Sequence, residues 1–344
     1  MKYVAPVADP AEVEALVAAG ADELYCGYLS REWRACYGDH ESVSRRQGPA
    51  NVMEEALFEA LIAEARCAGT PLYLTVNGRY TEPQLDSLVG LCQRFEELGG
   101  TGLQICDLGL LARLAGRTNL RLCLSLLANA QNIPTLEFYR GFGIDRVVFP
   151  RFLEPECVGE LLAAFPGLEG EFMALFDKCP FIDGYCRFYH GNVYLDASER
   201  PLAVLPDATG SPAPCRIAQV GGEGVARVRE RAPSPTDLHE EDATGSLAPC
   251  RITSFDTTYT THSCIALLGE PPNFFACAAC ALQDFEAAGA DFAKIGGRGT
   301  PLAHRILGLR FLRAAADRAS HAERQQLYHE IWGSACNCYF GARP

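Results

Sequence analysis

Residues 2–28 read KYVAPVADPAEVEALVAAGADELYCGY, and this stretch decides the fold. Tyr3–Val7 is a short run of apolar and β-favouring residues. Asp9-Pro10 then sets an N-capping side chain before a proline at the first helical position. Val13, Leu16 and Val17 recur at helical spacing, Gly20 closes the helix, and Glu23–Tyr28 resumes a strand. A strand, a helix and a strand in under thirty residues make a parallel βαβ unit with a right-handed crossover.

The unit recurs along the chain. Further strands are expected at Leu72–Val76, Leu103–Cys106, Leu120–Leu126, Arg146–Phe149 and Glu171–Phe176, with helices at Met53–Ala68, Pro83–Leu98 and Glu154–Phe165. Seven strands precede residue 177. Leu282–Ala288 and Asp291–Ile295 supply a helix and an eighth strand, and Leu302–Ala319 a closing helix. Eight units predict an α/β fold of the (β/α)8 TIM-barrel-like class. A doubly wound dinucleotide sheet has no support, because no GxGxxG follows the first strand.

Regularity breaks at residues 177–280, a Pro-, Gly-, Ser-, Thr- and Cys-rich insertion between the seventh and eighth strands. The chain therefore divides into 1–176, 177–280 and 281–344. Loops that follow strands build the catalytic face of such a barrel, and about a hundred residues there exceed a connector. The insertion also repeats itself, with DATGSPAPCRI at 207–217 and DATGSLAPCRI at 242–252. Two copies indicate a local duplication, not a solenoid.

Thirty basic and forty-three acidic residues leave a formal charge of −13. That balance argues against nonspecific attraction to nucleic acid or to an anionic membrane. No run of about 18 apolar residues is present to span a bilayer, and the first residues lack the apolar core of a signal peptide. A cytoplasmic protein is expected. In that compartment the sixteen cysteines are kept reduced, so they pack as small hydrophobes or hold a metal.

Cys26, Cys67, Cys92 and Cys123 sit in strand or helix patterns and suit packing. Cys179, Cys186, Cys215, Cys250, Cys264, Cys277 and Cys280 crowd the irregular region. Four thiolates bind either tetrahedral zinc or an iron–sulfur cube. Only Cys277-Ala-Ala-Cys280 has zinc-ribbon spacing, and the spread of the others suits a larger cluster. Unligated thiols in a crowded loop are the competing reading. His190 is a ligand, a proton donor or a surface residue. Cys336-Asn-Cys338 has no matching pair. Asp107, Arg151 and Arg298 follow strands and so fall on the expected catalytic face, where a guanidinium matches a carboxylate substrate. Lys294 lies within the eighth strand, and its register decides whether it points into the barrel. Ordinary salt bridges to Asp107 or Asp291 would equally explain these cations.

Several segments together resemble the collagenase-like peptidase family U32: AGADELYCG (19–27), PLYLTVN (71–77), LQICDLGLL (103–111), NAQN (129–132), RVVFPR (146–151) and DFAKIGGRG (291–299). The resemblance implies a barrel core and a [4Fe–4S] cluster. Its implied ligands are Cys179, Cys186, Cys277 and a cysteine of the Pro-Cys-Arg segment, which is Cys250 or its duplicate Cys215. It also implies oxygen-independent hydroxylation, which in the family acts on transfer RNA, ribosomal RNA or the ubiquinone ring, with prephenate the implied oxygen donor of the RNA-modifying branch. The acidic balance and the lack of an evident RNA-binding appendage favour a small, aromatic or lipid-like substrate here over RNA. A U32-type peptidase and a non-catalytic iron–sulfur subunit of a related heterodimer are the alternatives. The chain departs from the family pattern at Leu175-Phe176, where the family has His-Gly. It also has Leu126-Leu127 for Thr-Gln and Gly296 for Glu. These changes point to a less polar ligand or to lost catalysis.

Overall fold

A computed structural model describes residues 1–38, 43–46, 50–176, 184, 277–332 and 339. Its strands are β1 (Lys2–Pro6), β2 (Glu23–Cys26), β3 (Leu72–Val76), β4 (Gly102–Ile105), β5 (Arg121–Leu124), β6 (Arg146–Val148), β7 (Glu169–Leu175) and β8 (Phe292–Ile295). All pair in parallel and in chain order, and β8 returns to β1 to close an eight-stranded barrel. The helices are α1 (Val13–Ala18), α2 (Arg31–Tyr37), α3 (Glu55–Cys67), α4 (Glu82–Glu97), α5 (Leu108–Leu114), α6 (Ile133–Arg140), α7 (Pro155–Ala164), α8 (Leu282–Ala287), α9 (Leu302–Ala316) and α10 (His321–Trp332). The (β/α)8 expectation holds. Among the described residues, no helix is long and apolar enough to cross a membrane.

Local chemistry sets most boundaries. Asp9 accepts from the Ala11 N–H at 2.8 Å and forms a capping box with Glu12. Gly20 ends the first unit at φ +106°, a conformation that glycine adopts without a Cβ clash. Two strands stop sooner than the apolar pattern suggests. β2 ends at Cys26, and beyond it Gly27 and Leu29 bond to Val52 in place of β3. β5 ends at Leu124 because Ser125 caps a 3-10 turn over Leu126–Ala128. The helix α10, one of the C-terminal helices expected in 281–344, buries Arg324 and Tyr328 and packs the partly buried Leu327, Ile331 and Trp332 against the core.

Alternate strand residues feed two separate apolar clusters. Tyr3, Ala5, Leu24, Leu74, Val76, Leu122, Leu124 and Val147 join the shell under the helices. Val4, Tyr25, Tyr73, Cys123, Val148 and Phe292 form the smaller cluster inside the barrel. The period of two places Glu23, Thr75, Gln104, Arg146, Glu171 and Lys294, each two residues from or alternating with these, in the lumen as well.

The lumen is charged. Arg146 on β6 donates to both oxygens of Glu23 on β2, at 2.7 and 3.0 Å. Those strands lie four apart in a ring of eight, so the bond crosses the barrel. Arg146 also donates to Glu171 at 3.1 Å, to Glu169 at 3.0 Å and to the Tyr73 hydroxyl at 3.3 Å. Its guanidinium lies 3.4 Å from the Phe292 ring centroid, a favourable cation–π position. Lys294 continues the chain of charges, donating to Glu171 at 2.8 Å while lying 4.0 Å from the Tyr25 ring centroid. Burial raises the Glu171 carboxyl, but Lys294 and Arg146 outweigh it and hold the group below its ordinary 4.5.

Glu171→Gln would leave two buried cations short of a carboxylate, at a cost of about 3–5 kcal/mol near neutral pH. The depressed value makes Glu171's contribution complete above pH 4.5 and lost as pH falls through its lower folded value. Urea unfolding across pH should therefore show a constant gap between wild type and variant in neutral solution. The gap should narrow in acid. A gap that widens in acid would contradict this assignment.

Candidate functional site at the barrel mouth

The C-terminal strand ends gather the expected site residues, each held by its own loop. Arg298, three residues past β8, is only 5% exposed. It donates to Ser44 Oγ at 2.8 Å and to Asn51 Oδ1 at 3.4 Å, and so pulls the segment after α2 onto the β8 end. Its guanidinium lies directly over Gly27. A Cβ at that position would come within 2.0 Å of Arg298 Nη1 and 2.2 Å of Asn51 Oδ1.

Lys294 points inward and is committed to Glu171. Asp107 is the N-cap of α5, accepting from the Leu110 N–H at 3.0 Å. Arg151 follows β6 and is half-buried. Asp291 stands at the opposite end of the barrel, where it accepts from the Gly170 N–H at 2.9 Å. Arg298 and Arg151 thus share the mouth with Asp107, whereas Lys294 belongs to the lumen network. Ser44 and Asn51 were not identified from sequence. Glycine directly after a strand was the one available signal, because it marks close approach by another group.

Cys277 is buried at the same mouth. It bridges antiparallel to Leu175 at the end of β7, and the following Ala278 N–H donates to Ala174 O at 2.8 Å. Gly184, between Cys179 and Cys186 in sequence, rests on the loop after β5. A Cβ there would lie 2.6 Å from Asn129 Cβ and 3.1 Å from Leu127 O. Cys179, Cys186, Cys215, Cys250, Cys264, His190, Cys336 and Cys338 fall outside the described residues. Among the described residues, no three His, Cys, Asp or Glu side chains converge as a metal site. Cys280 is buried beside Cys277, and its carbonyl accepts from Arg324 at 3.2 Å.

Where the chain leaves β7, Phe176 adopts φ +64°. The left-handed region costs a non-glycine residue about 1–2 kcal/mol. The buried ring offsets this, packing edge-on to Trp332 at 6.5 Å, while the Tyr339 hydroxyl donates to the Phe176 carbonyl. Cys106 is no nucleophile. Its thiol donates to the Asn77 and Gly78 carbonyls, and burial pushes it up to about 12.

A shallow cleft of about 440 Å³ opens at the opposite end, between α7 and α8. Its acids Glu169 and Asp291 are engaged by Arg146 and the Gly170 N–H, and that end of a barrel serves stability.

Gly27→Ala should displace Arg298 and destabilise the protein by about 1–3 kcal/mol. In an Arg298→Ala background the same change should cost less than half as much, read from a double-mutant cycle of urea unfolding. Additive costs would separate Gly27 from Arg298.

The sequence model for peptidase family U32 matches residues 8–196. No curated protein matches. A solved U32 peptidase, Mk0906, is similar over 51% of this chain and 69% of its own, at 14% identity and a TM-score of 0.41. A 2,3-dimethylmalate lyase is similar over 49% of this chain and 66% of its own, at 15% identity and a TM-score of 0.33. A tryptophan synthase chain from M. tuberculosis is similar over 51% and 75%, at 15% identity and a TM-score of 0.36.

Proposed function

The chain belongs to peptidase family U32, and from that membership we propose an oxygen-independent hydroxylase of a small, weakly polar substrate, with a [4Fe–4S] cluster at the barrel mouth. The placement of Cys277 carries the reading. It is buried at the β7 end, the strand from which the chain runs on to Cys179 and Cys186. Gly184, two residues before Cys186, lies against the β5 loop of the same mouth. A thiolate donor in a mostly apolar surround suits an iron–sulfur cluster. Cys179, Cys186, Cys277 and Cys250 would hold it, and a bound cluster supplies one-electron chemistry next to the substrate.

The chain's own part is to bind and orient. Arg298, kept in place by Ser44 and Asn51, and Arg151 would hold the carboxylate of an oxygen donor such as prephenate. Asp107 stays at the rim as a helix cap. Of the apolar replacements, Leu175 and Phe176 pack toward Gly308 and Trp332, and Leu126 packs against the lumen cluster; together with the formal charge of −13 they favour a weakly polar substrate over RNA. The same apolar substitutions also support a second reading, a non-catalytic iron–sulfur subunit paired with a related barrel. Family membership alone supports peptidase activity. At the mouth, Ser44 bonds to the Asn51 amide and the Arg298 guanidinium, and Ser125 to the Asn77 amide and the Leu127 N–H; neither contact is the nucleophile–base pair of a peptidase.

Anaerobically prepared protein should be brown and carry four irons per chain. Cys277→Ala and Cys186→Ala should each lose that iron with the fold intact by circular dichroism. Full iron in either variant would remove the cluster assignment. Arg298→Glu should keep the iron and lose prephenate binding by calorimetry. Unchanged binding would move the donor site elsewhere.

A further inference from the structure

On the side of the mouth away from Arg298, three adjacent strands present neutral polar side chains to the lumen. Thr75 lies between Leu74 and Val76, which face the helices, and two residues beyond Tyr73, which faces inward. It therefore points into the barrel. Thr75 pairs in register with Gln104, and Gln104 with Cys123, two residues before Ser125. All three polar side chains are buried.

Their hydrogen-bonding capacity is not used up by the fold. Thr75 Oγ1 is fully buried and has no partner, in a residue 2% exposed. Buried hydroxyls without a partner are rare because each costs the desolvation of the group. Ser125 Oγ accepts from Asn77 Nδ2 at 3.2 Å and from the Leu127 N–H at 3.4 Å, which leaves its proton available. Asn129 Oδ1, on the loop after β5, is a second buried atom with no partner. The loops around them are fixed. Arg79 ties the β3 loop to the Cys106 carbonyl at 2.8 Å and the Leu127 carbonyl at 3.0 Å.

We propose that Thr75, Gln104, Ser125 and Asn129 form a neutral subsite that takes a hydroxyl group of the carboxylate ligand held at the Arg298 side of the mouth. The set offers both donors and acceptors. A hydroxyl can satisfy both, whereas a carboxylate has no proton for Asn129 Oδ1. The subsite faces the arginine side, so the ligand class is a hydroxylated small carboxylate, with its anion toward Arg298 and its hydroxyl toward Thr75. This rests on the mouth being the substrate site and does not require the cluster.

The probes are 4-hydroxybenzoate and benzoate, which differ only in the hydroxyl. Calorimetry on the full chain should show 4-hydroxybenzoate binding about tenfold tighter, the usual effect of leaving buried polar groups unmatched. Thr75→Val keeps the shape and removes the hydroxyl. It should reduce that ratio to less than threefold while changing benzoate affinity less than twofold. Its melting temperature should stay the same or rise by a few degrees, since an unpartnered hydroxyl contributes nothing to the fold. Wild-type protein that does not distinguish the two acids, absence of binding included, overturns the proposal. So does a Thr75→Val protein that keeps the full ratio or melts several degrees lower. Iron measured on the same samples separates the two claims. Discrimination without iron keeps the subsite and discards the cluster, and iron without discrimination does the reverse.

Discussion

The salt bridge from Arg146 to Glu23 across the barrel is the constraint on which the rest of the structure depends. A guanidinium 1% exposed is tolerable only with its donors met. Glu23, Glu169, Glu171 and Tyr73 meet them from three other strands. A slip of one residue in β2 or β7 would turn its acids out to the helices and leave Arg146 buried without those partners. The network therefore does more than fill the lumen. It penalises a wrong register in those strands, and the register in turn decides which side chains reach the mouth.

The mouth inherits its layout from that register. One step above Tyr73 stands Thr75, one step above Cys123 stands Ser125, and one step above Phe292 stands Lys294. Charges are matched and committed toward the N-terminal half, from Arg146 to Lys294. At the C-terminal ends, Arg298 bonds to Ser44 and Asn51, and Thr75 Oγ1 has no partner. The proposed binding end is thus separated from the stabilising network along the barrel axis, as is general for this architecture.

Much of this was legible in the sequence, for identifiable reasons. The βα alternation, the Asp9-Pro10 cap and β3 at Leu72–Val76 are local features, and short-range patterns encode them. Arg146, by contrast, reads as an ordinary basic residue before two valines. Its partner Glu23 is 123 residues away, and no periodicity links strands four apart in a closed ring. Arg298 was placed on the mouth correctly, but its burial under Ser44 and Asn51 depends on a loop with no pattern of its own. Phe176 was visible as a departure from the family's glycine. Its left-handed backbone, balanced by ring burial, emerged only in three dimensions.

The central claim is that the mouth beside Cys277 is the reactive centre. Anomalous diffraction at the iron edge from anaerobically grown crystals tests it most directly. The account predicts one compact iron peak at bonding distance from Cys277 Sγ, on the side of the barrel where the strands end. Iron located elsewhere, or a Cys277 thiol with no iron beside it in brown crystals, would contradict it.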